Sequence, residues 1–106
     1  MITLNDVDKR RDRLAALIRP IVERSIQRDE HNAWPDEIKD IIAAASPRLP
    51  VGWGDIDEQF GRILTAAKSF RTQGADLRRC VMSLNEALTR LDYAIDRRKD
   101  AAASGG

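Results

Sequence analysis

The side chains that could act as nucleophiles or metal ligands are few in this chain of 106 residues, and they stand apart from one another. The only histidine, His31, is flanked by two carboxylates, whereas a zinc site needs several converging ligands. The only cysteine, Cys80, has no histidine placed to activate its thiol. We therefore expect His31 to be a solvated linker residue and Cys80 to be an inert core thiol.

Paired carboxylates are the next candidates for chemistry. Two pairs have the i, i+4 spacing that places both members on one helix face, namely Asp36 with Asp40 and Asp92 with Asp96. General acid–base catalysis needs a pocket and shifted pKa values, and the surrounding sequence indicates neither. The sequence also has no glycine-rich phosphate loop and no nucleophile elbow. We predict a protein that is not an enzyme, with no catalytic, cofactor-binding or metal-ligating residues and no cofactor.

Arginine clusters are the strongest charged feature, and a guanidinium suits phosphate and carboxylate partners alike. The basic residues that could contact nucleic acid are Lys9, Arg10, Arg13, Arg78, Arg79, Arg97 and Arg98. Aspartates interrupt each cluster, which favours salt bridges over a nucleic-acid surface. A nucleic-acid-associated protein, of a phage-type or regulatory small helical kind, remains an alternative function.

Charge is uneven along the chain although the net charge is only +1. Residues 1–28 carry seven basic and four acidic side chains, residues 29–58 carry two and eight, and residues 59–106 carry nine and five. An acidic middle between two basic arms is compatible with a self-complementary surface and with ordinary solvated helix faces.

Composition favours an all-α fold. Hydrophobic residues make up 42% of the chain but aromatic residues only 5%, so the core must consist of Leu, Ile, Val and Ala, which are typical of helical cores. The length predicts one domain over 1–100 and a flexible tail over 101–106. No apolar run is long enough for a signal peptide or a membrane span, so we expect a cytoplasmic protein, or one exported without a classical signal, with no membrane partner.

The first elements read as two helices. Thr3 and Asp6 suit the start of an amphipathic helix over about 4–28. Pro20 lies inside it, and because proline lacks a backbone donor we expect a kink or break there. A short helix follows over about 35–45.

A loop rich in proline and glycine separates this short helix from the last element. Asp55 and Glu58 then have capping-box spacing, which predicts the start of a helix. From there an apolar stripe alternates steps of four and three residues: Ile56, Phe60, Ile63, Ala67, Phe70, Gly74, Leu77, Val81, Leu84, Leu88, Leu91 and Ile95. This unbroken phase favours one long heptad helix over about 55–98.

Gly74 is the point at which that long helix could be interrupted. Glycine suits the residue that ends a helix, and Asp76 could cap a new one. If the chain turns here, Arg78 and Arg79 would stand near the start of the second helix of a helix-turn-helix-like pair. Both paths remain open, and the heptad phase favours the straight one.

One column beside the stripe consists of small or neutral residues: Gln59, Ala66, Gln73, Cys80, Ala87 and Ala94. A two-stranded coiled coil usually carries charges in that column. Small residues there indicate a helix that packs closely against two neighbours. The sequence therefore predicts a helical bundle that is closed either within one chain or by a second copy.

These features predict a non-enzymatic interaction or assembly protein that acts through self-association or by docking on a larger complex. We expect the partner to be a protein, with a homo-oligomer as the favoured form. The predicted interface residues are the two tryptophans, the C-terminal stripe and two residues off that stripe: Trp34, Trp53, Leu77, Val81, Met82, Leu84, Leu88, Leu91 and Tyr93.

The stretch Val-Gly-Trp-Gly-Asp at 51–55, followed by a long amphipathic helix in a chain of about one hundred residues, resembles the WXG100 proteins of type VII secretion. The resemblance covers 51–98 and implies a helical hairpin exported as a dimer. The chain departs from that pattern where Asp55 stands two places after Trp53 instead of glycine, and where Tyr93 is followed by Asp96 three places on rather than four. A type VII secretion partner is therefore a second alternative.

Overall fold

The computed structural model describes residues 2–27, 37–70 and 77–104, and within these ranges the secondary structure is helical. The helices are α1 (Leu4–Gln27), α2 (Glu37–Ala45), α3 (Gly54–Ser69) and α4 (Leu77–Ser104). The predicted all-α class is confirmed. His31, Trp34 and Gly74 lie outside the described residues.

Helix α1 begins at the predicted cap. The Thr3 N–H donates to Asp6 Oδ2 at 2.9 Å, and the Asp6 N–H donates to Thr3 Oγ1 at 3.2 Å. This exchange satisfies two backbone donors at the helix start, and the Thr3 N–H lowers the pKa of Asp6. The helix continues through Pro20 to Gln27, so the predicted break is wrong, while a kink remains a prediction.

The core consists of the residues that the apolar spacing selects. In α1 and α2 the buried stripe positions are Val7, Leu14, Ile18, Ile21, Ile38, Ile41 and Ala45. In α3 and α4 they are Ile56, Phe60, Ile63, Ala67, Phe70, Val81, Leu84, Leu88, Leu91 and Ile95. Burial of these aliphatic side chains is the main term that stabilises the bundle.

Helices α3 and α4 form an antiparallel hairpin. Near one end Arg98 Nη2 lies 2.9 Å from Asp55 Oδ1, and near the other Ser69 Oγ lies 3.3 Å from Cys80 Sγ. A straight helix over 55–98 would be about 65 Å long, whereas the longest dimension of the molecule is 50 Å. The single straight helix is therefore wrong, because folding back lets each half of the stripe bury the other.

Each helix packs against two neighbours in the cyclic order α1, α2, α3, α4. The small residues beside the stripe lie at these close contacts, with Ala66, Cys80 and Ala87 buried. The predicted packing against two neighbours is confirmed, and the chain's own helices supply them. Helix α4 extends to Ser104, beyond its predicted end near 98.

A tight turn connects α2 to α3. The Trp53 N–H donates to the Pro50 carbonyl at 3.2 Å, and Gly52 has a φ of 101°. This is the turn geometry that requires glycine at its third position. Trp53 is the N-cap of α3 and makes no side-chain capping bond, so the capping box predicted from Asp55 and Glu58 is wrong. Asp55 contacts Arg98 instead.

We expect Gly52→Ala to lower the free energy of unfolding by about 1 kcal/mol, because alanine is strained at a positive φ. An added Cβ meets no neighbour within 4 Å, so the loss would come from the backbone alone. Gly61→Ala is the matched control: its Cβ is equally free, but Gly61 is helical, so the variant should be more stable by up to about 1 kcal/mol. Urea unfolding measures both, and equal shifts of the same sign would contradict the turn.

Candidate docking surface

A groove runs along the α3–α4 hairpin, and Ala45, Ser46 and Arg48, from the end of α2 and the loop after it, also line one part of it. It consists of two shallow depressions of about 780 and 860 Å³ that share Glu58, Glu86 and Arg90 in their linings. We call it the α3–α4 groove. The antiparallel packing of the two helices creates it, because side chains on the outer faces of both helices project beside the line where they meet.

Small residues are part of the lining of the groove, and we call the four named next its floor. Gly61 contributes from α3, and Ala87, Ala94 and Ala101 contribute from α4 at intervals of seven. A seven-residue interval returns to almost the same face of a helix, so the three alanines form one row. Small side chains in a row let a further backbone approach the hairpin closely.

The walls of the groove are charged. Within α3, Arg62 donates to Glu58 at 3.2 Å, and within α4, Arg90 donates to Glu86 at 3.0 Å. All four side chains are at least half exposed. Exposed i, i+4 pairs contribute only a few tenths of a kcal/mol to the stability of a helix. A partner can therefore replace these pairs with its own ion pairs at a small loss of free energy.

Two of the most exposed large hydrophobic residues lie on one outward stripe of α4. Tyr93 is 65% exposed and Met82 is 67% exposed. Eleven residues separate them, which is three helical turns and almost the same direction around the axis. Tyr93 also lines the groove, where the Arg97 guanidinium lies 5.9 Å from its ring centroid.

Arg98 holds the loop between α2 and α3 against α4, and we call this end of the bundle the loop end. Its guanidinium stacks 4.3 Å from the ring of Trp53, donates to the Gly52 carbonyl and contacts Asp55. Trp53 thereby packs the loop onto α4, while the neighbouring Val51 is fully exposed. Of the two tryptophans predicted at an interface, Trp53 is half-buried in this contact and Trp34 lies outside the described residues.

Arg10 holds the other side of the same loop. Its guanidinium donates to the carbonyls of Ala44 at 2.8 Å and Pro47 at 2.7 Å, and it lies 3.8 Å from the ring centroid of Phe60. These bonds satisfy carbonyls at the end of α2 that no helical N–H can reach. Burial lowers the pKa of Arg10, while the nearby Asp57 opposes that shift.

Asp57 fixes the loop from within α3. Its carboxylate accepts the Leu49 N–H at 3.0 Å and Arg48 Nε at 3.0 Å. The Leu49 bond is the main reason that the pKa of Asp57 lies below its ordinary value, with smaller contributions from Arg48 and Arg10, and burial opposes the shift.

We expect Asp57→Asn to lower the melting temperature at pH 7 by a few degrees, because an amide cannot accept both bonds as a carboxylate does. The folded-state pKa is lowered, so this stabilisation is present above the ordinary aspartate pKa and is lost as the pH falls through the lowered value. The gap between wild type and variant should therefore close as the pH falls below about 4. Melting curves measure it, and a gap that is constant with pH would contradict this role.

An ion-pair cluster joins α1 to α4. Arg11 Nη1 donates to Asp92 Oδ1 at 2.7 Å and Arg11 Nη2 to Asp8 Oδ1 at 3.2 Å, while Lys99 Nζ lies 2.6 Å from the other oxygen of Asp8. The Asp92 hydrogen bond is the main reason that the pKa of Arg11 is raised. Of the two aspartates predicted to lie on one helix face, Asp92 makes the interhelical contact with Arg11 and Asp96 is exposed.

The apolar residues predicted at an interface lie inside a single chain. Val81, Leu84, Leu88 and Leu91 are buried in the core, and the side chain of Leu77 is outside the described residues. On the folded bundle these four leave no surface for a partner. Among the predicted interface residues whose side chains the structure describes, Met82 and Tyr93 are the exposed ones, and both lie on one side of α4.

The structure does not bring all of the predicted nucleic-acid contacts into one patch. Arg10 and Arg98 are engaged with the loop, and Lys9 and Arg13 are exposed on α1. Arg78 and Arg79 are exposed near the start of α4, about 27 Å along its axis from Arg97. Cys80 is buried, as expected for a core thiol.

Comparisons add no relative. The chain matches no protein-family model, no curated protein and no solved structure. Trp53, which carries the resemblance to WXG100 proteins, lies between α2 and α3 and not at the turn of the α3–α4 hairpin.

Within residues 2–27, 37–70 and 77–104, no three His, Cys, Asp or Glu side chains converge to hold a metal ion. No helix there has an apolar stretch long enough to cross a bilayer.

Proposed function

We propose that this protein is a helical interaction module that binds a protein partner through the α3–α4 groove. The observation that carries the proposal is that Tyr93 is exposed where it lines a groove with a floor of small residues, with Met82 exposed three turns away on the same stripe of α4. Leu84, Leu88 and Leu91 of the same helix are buried in the chain's own core. The stripe that remains outside is therefore available to a different molecule.

A helix is the partner element that suits this surface. A groove between two antiparallel helices can accept a third helix, which then packs as helices in bundles do. Tyrosine is favoured at the energetic centres of protein interfaces because it buries a large apolar area and loses little conformational entropy. Tyr93 stands at the rim where such a helix would enter.

Site-specific photo-crosslinking tests the proposal. A photoreactive phenylalanine analogue is placed at Tyr93 in the full chain and, as a matched control, at Arg19, which is exposed on α1. Irradiation of cells that make the protein should give one dominant protein adduct from position 93 and none from position 19. The same adduct should be lost when Arg97→Glu is added, because Arg97 lines the groove.

The proposal fails if position 93 gives no adduct, or if positions 19 and 93 give the same adducts. It also fails if the adduct from position 93 is unaffected by Arg97→Glu. Mass spectrometry of the adduct identifies its second component, which separates a second copy of this chain from another protein.

A further inference from the structure

We infer that the occupant of the α3–α4 groove is a second copy of this chain, related to the first by a two-fold axis that runs along the groove. The inference rests on the proposed function and names the partner of the same site. A two-fold interface brings one patch against itself, so the patch must complement its own charges. The two walls of the groove meet that requirement.

The charges of the two walls differ at the loop end. Helix α3 contributes Asp55 and Glu58 there, and α4 contributes Arg97 and Arg98. Asp55 and Arg98 already pair with each other inside the chain, and Glu58 accepts from Arg62 one turn along α3. Glu58 and Arg97 are therefore the opposite charges of the two walls that a second copy can bring together, and further along α4 Glu86 pairs with Arg90.

A two-fold axis that runs along the groove is parallel to the helices. It therefore places α3 of one copy over α4 of the other without shifting either along the helix axis. The level is fixed by two contacts within the hairpin, Asp55 with Arg98 and Ser69 with Cys80. By the first contact residue 58 stands about 3 Å from residue 97 along the helix axis, and by the second about 9 Å, which two long side chains can span. The symmetry therefore brings Glu58 of each copy to Arg97 of the other, twice in one interface.

Small residues and Tyr93 complete the fit. Gly61 and the alanines of the floor are points at which two hairpins can approach closely, while the exposed glutamates and arginines beside them turn outward or pair across the interface. Tyr93 lies beside this floor and would be covered by α3 of the second copy.

The available area indicates a weak dimer. The groove follows α3, whose 16 residues are about 24 Å long, and two helices side by side are about 20 Å wide. The contact is then about 500 Å² per copy, below the roughly 800 Å² of a stable interface. We therefore expect association that depends on concentration and weakens with salt.

A charge-swap experiment tests the inference. Glu58→Arg and Arg97→Glu are made in separate full-length chains, and both side chains are exposed, so the fold should survive. In either variant alone, both Glu58–Arg97 contacts become like-charge contacts. In an equimolar mixture each introduced arginine faces an introduced glutamate, and the two remaining native residues also face one another.

Sedimentation equilibrium over about 1 µM to about 1 mM is measured in low salt. Wild type should approach twice its mass of 11.9 kDa as its concentration rises. Each variant alone should dimerise at least about tenfold more weakly, and the mixture should regain wild-type association. Glu23→Arg and Lys39→Glu, exposed on α1 and α2, are the charge-matched controls and should behave as wild type.

The outcomes separate this inference from the function on which it rests. A wild type that stays monomeric over the whole range overturns the second copy as partner, while the crosslink at Tyr93 still decides whether another protein binds the groove. A dimer that resists both groove variants but is lost in a control places association on another face and overturns the inference. A mixture that stays monomeric while wild type dimerises rejects the proposed symmetry.

Discussion

Leu84→Asp should abolish the native helical fold of the single chain at neutral pH. Leu84 is 0% exposed, so the new carboxylate would be buried among aliphatic side chains with no partner. Burial of an unpaired charge costs several kcal/mol, which is comparable with the total stability of a small domain. Far-UV circular dichroism together with sedimentation measures the loss.

The matched control is Ser83→Asp, which adds the same charge at the preceding, exposed position of α4. It should keep the helical signal of wild type and nearly the same melting temperature. If Leu84→Asp remained fully helical and only changed from oligomer to monomer, the leucine stripe would be an interface between chains and the intramolecular core would be refuted.

Phe60→Ala should lower the free energy of unfolding by about 3–5 kcal/mol. Phe60 is one of the largest fully buried side chains, and its removal leaves a cavity in the middle of α3. It also removes the ring over which the Arg10 guanidinium lies at 3.8 Å. Urea unfolding measures the change in free energy. Thermal unfolding should show a fall of more than about 10 °C in the melting temperature.

A double-mutant cycle separates the cavity from the Arg10 contact. Arg10→Met keeps an apolar stem but loses the bonds to Ala44 and Pro47 and the contact with the ring. The loss caused by Arg10→Met should be smaller in a Phe60→Leu background than in wild type, since the ring is already absent. Equal losses in both backgrounds would show that the ring contact contributes nothing.

The sequence predicted the helices and the core because both depend on local spacing. The steps of three and four residues select one face of each helix, and every described stripe position of α3 and α4 is buried. The capping exchange at Thr3 and Asp6 is also local, since three residues separate its partners. These features require no knowledge of which helices touch.

The path of the chain between α3 and α4 could not be predicted in the same way. The heptad phase continues from Phe70 to Leu77, but two separate helices that each face the core can also share one phase. The phase therefore contains no information on direction. Two antiparallel helices bury their apolar stripes against each other, and a single straight helix cannot do so. Burial of apolar surface therefore favours the hairpin.

The candidate site depends on that reversal, so its main contacts have no local signal. Arg98 meets Gly52 from 46 residues away, and Arg10 meets Ala44 from 34 residues away. The sequence marked both arginines only as possible nucleic-acid contacts. Glu58 and Arg97 lie on opposite walls of one groove because α3 and α4 are antiparallel. Tyr93 and Met82 were identified because they fall off the buried stripe, which spacing alone can show.

The central claim is that α3 and α4 fold back on each other within one chain, and one substitution tests it most directly. Ser69 Oγ lies 3.3 Å from the Sγ of Cys80, the only cysteine, so Ser69→Cys places two thiols in contact. In a straight helix the same residues would be about 16 Å apart, too far for a disulfide. Mild oxidation of the dilute variant, followed by mass spectrometry and non-reducing electrophoresis, should give a monomer with an intramolecular disulfide. Two free thiols, or only disulfide-linked dimers, would contradict the hairpin.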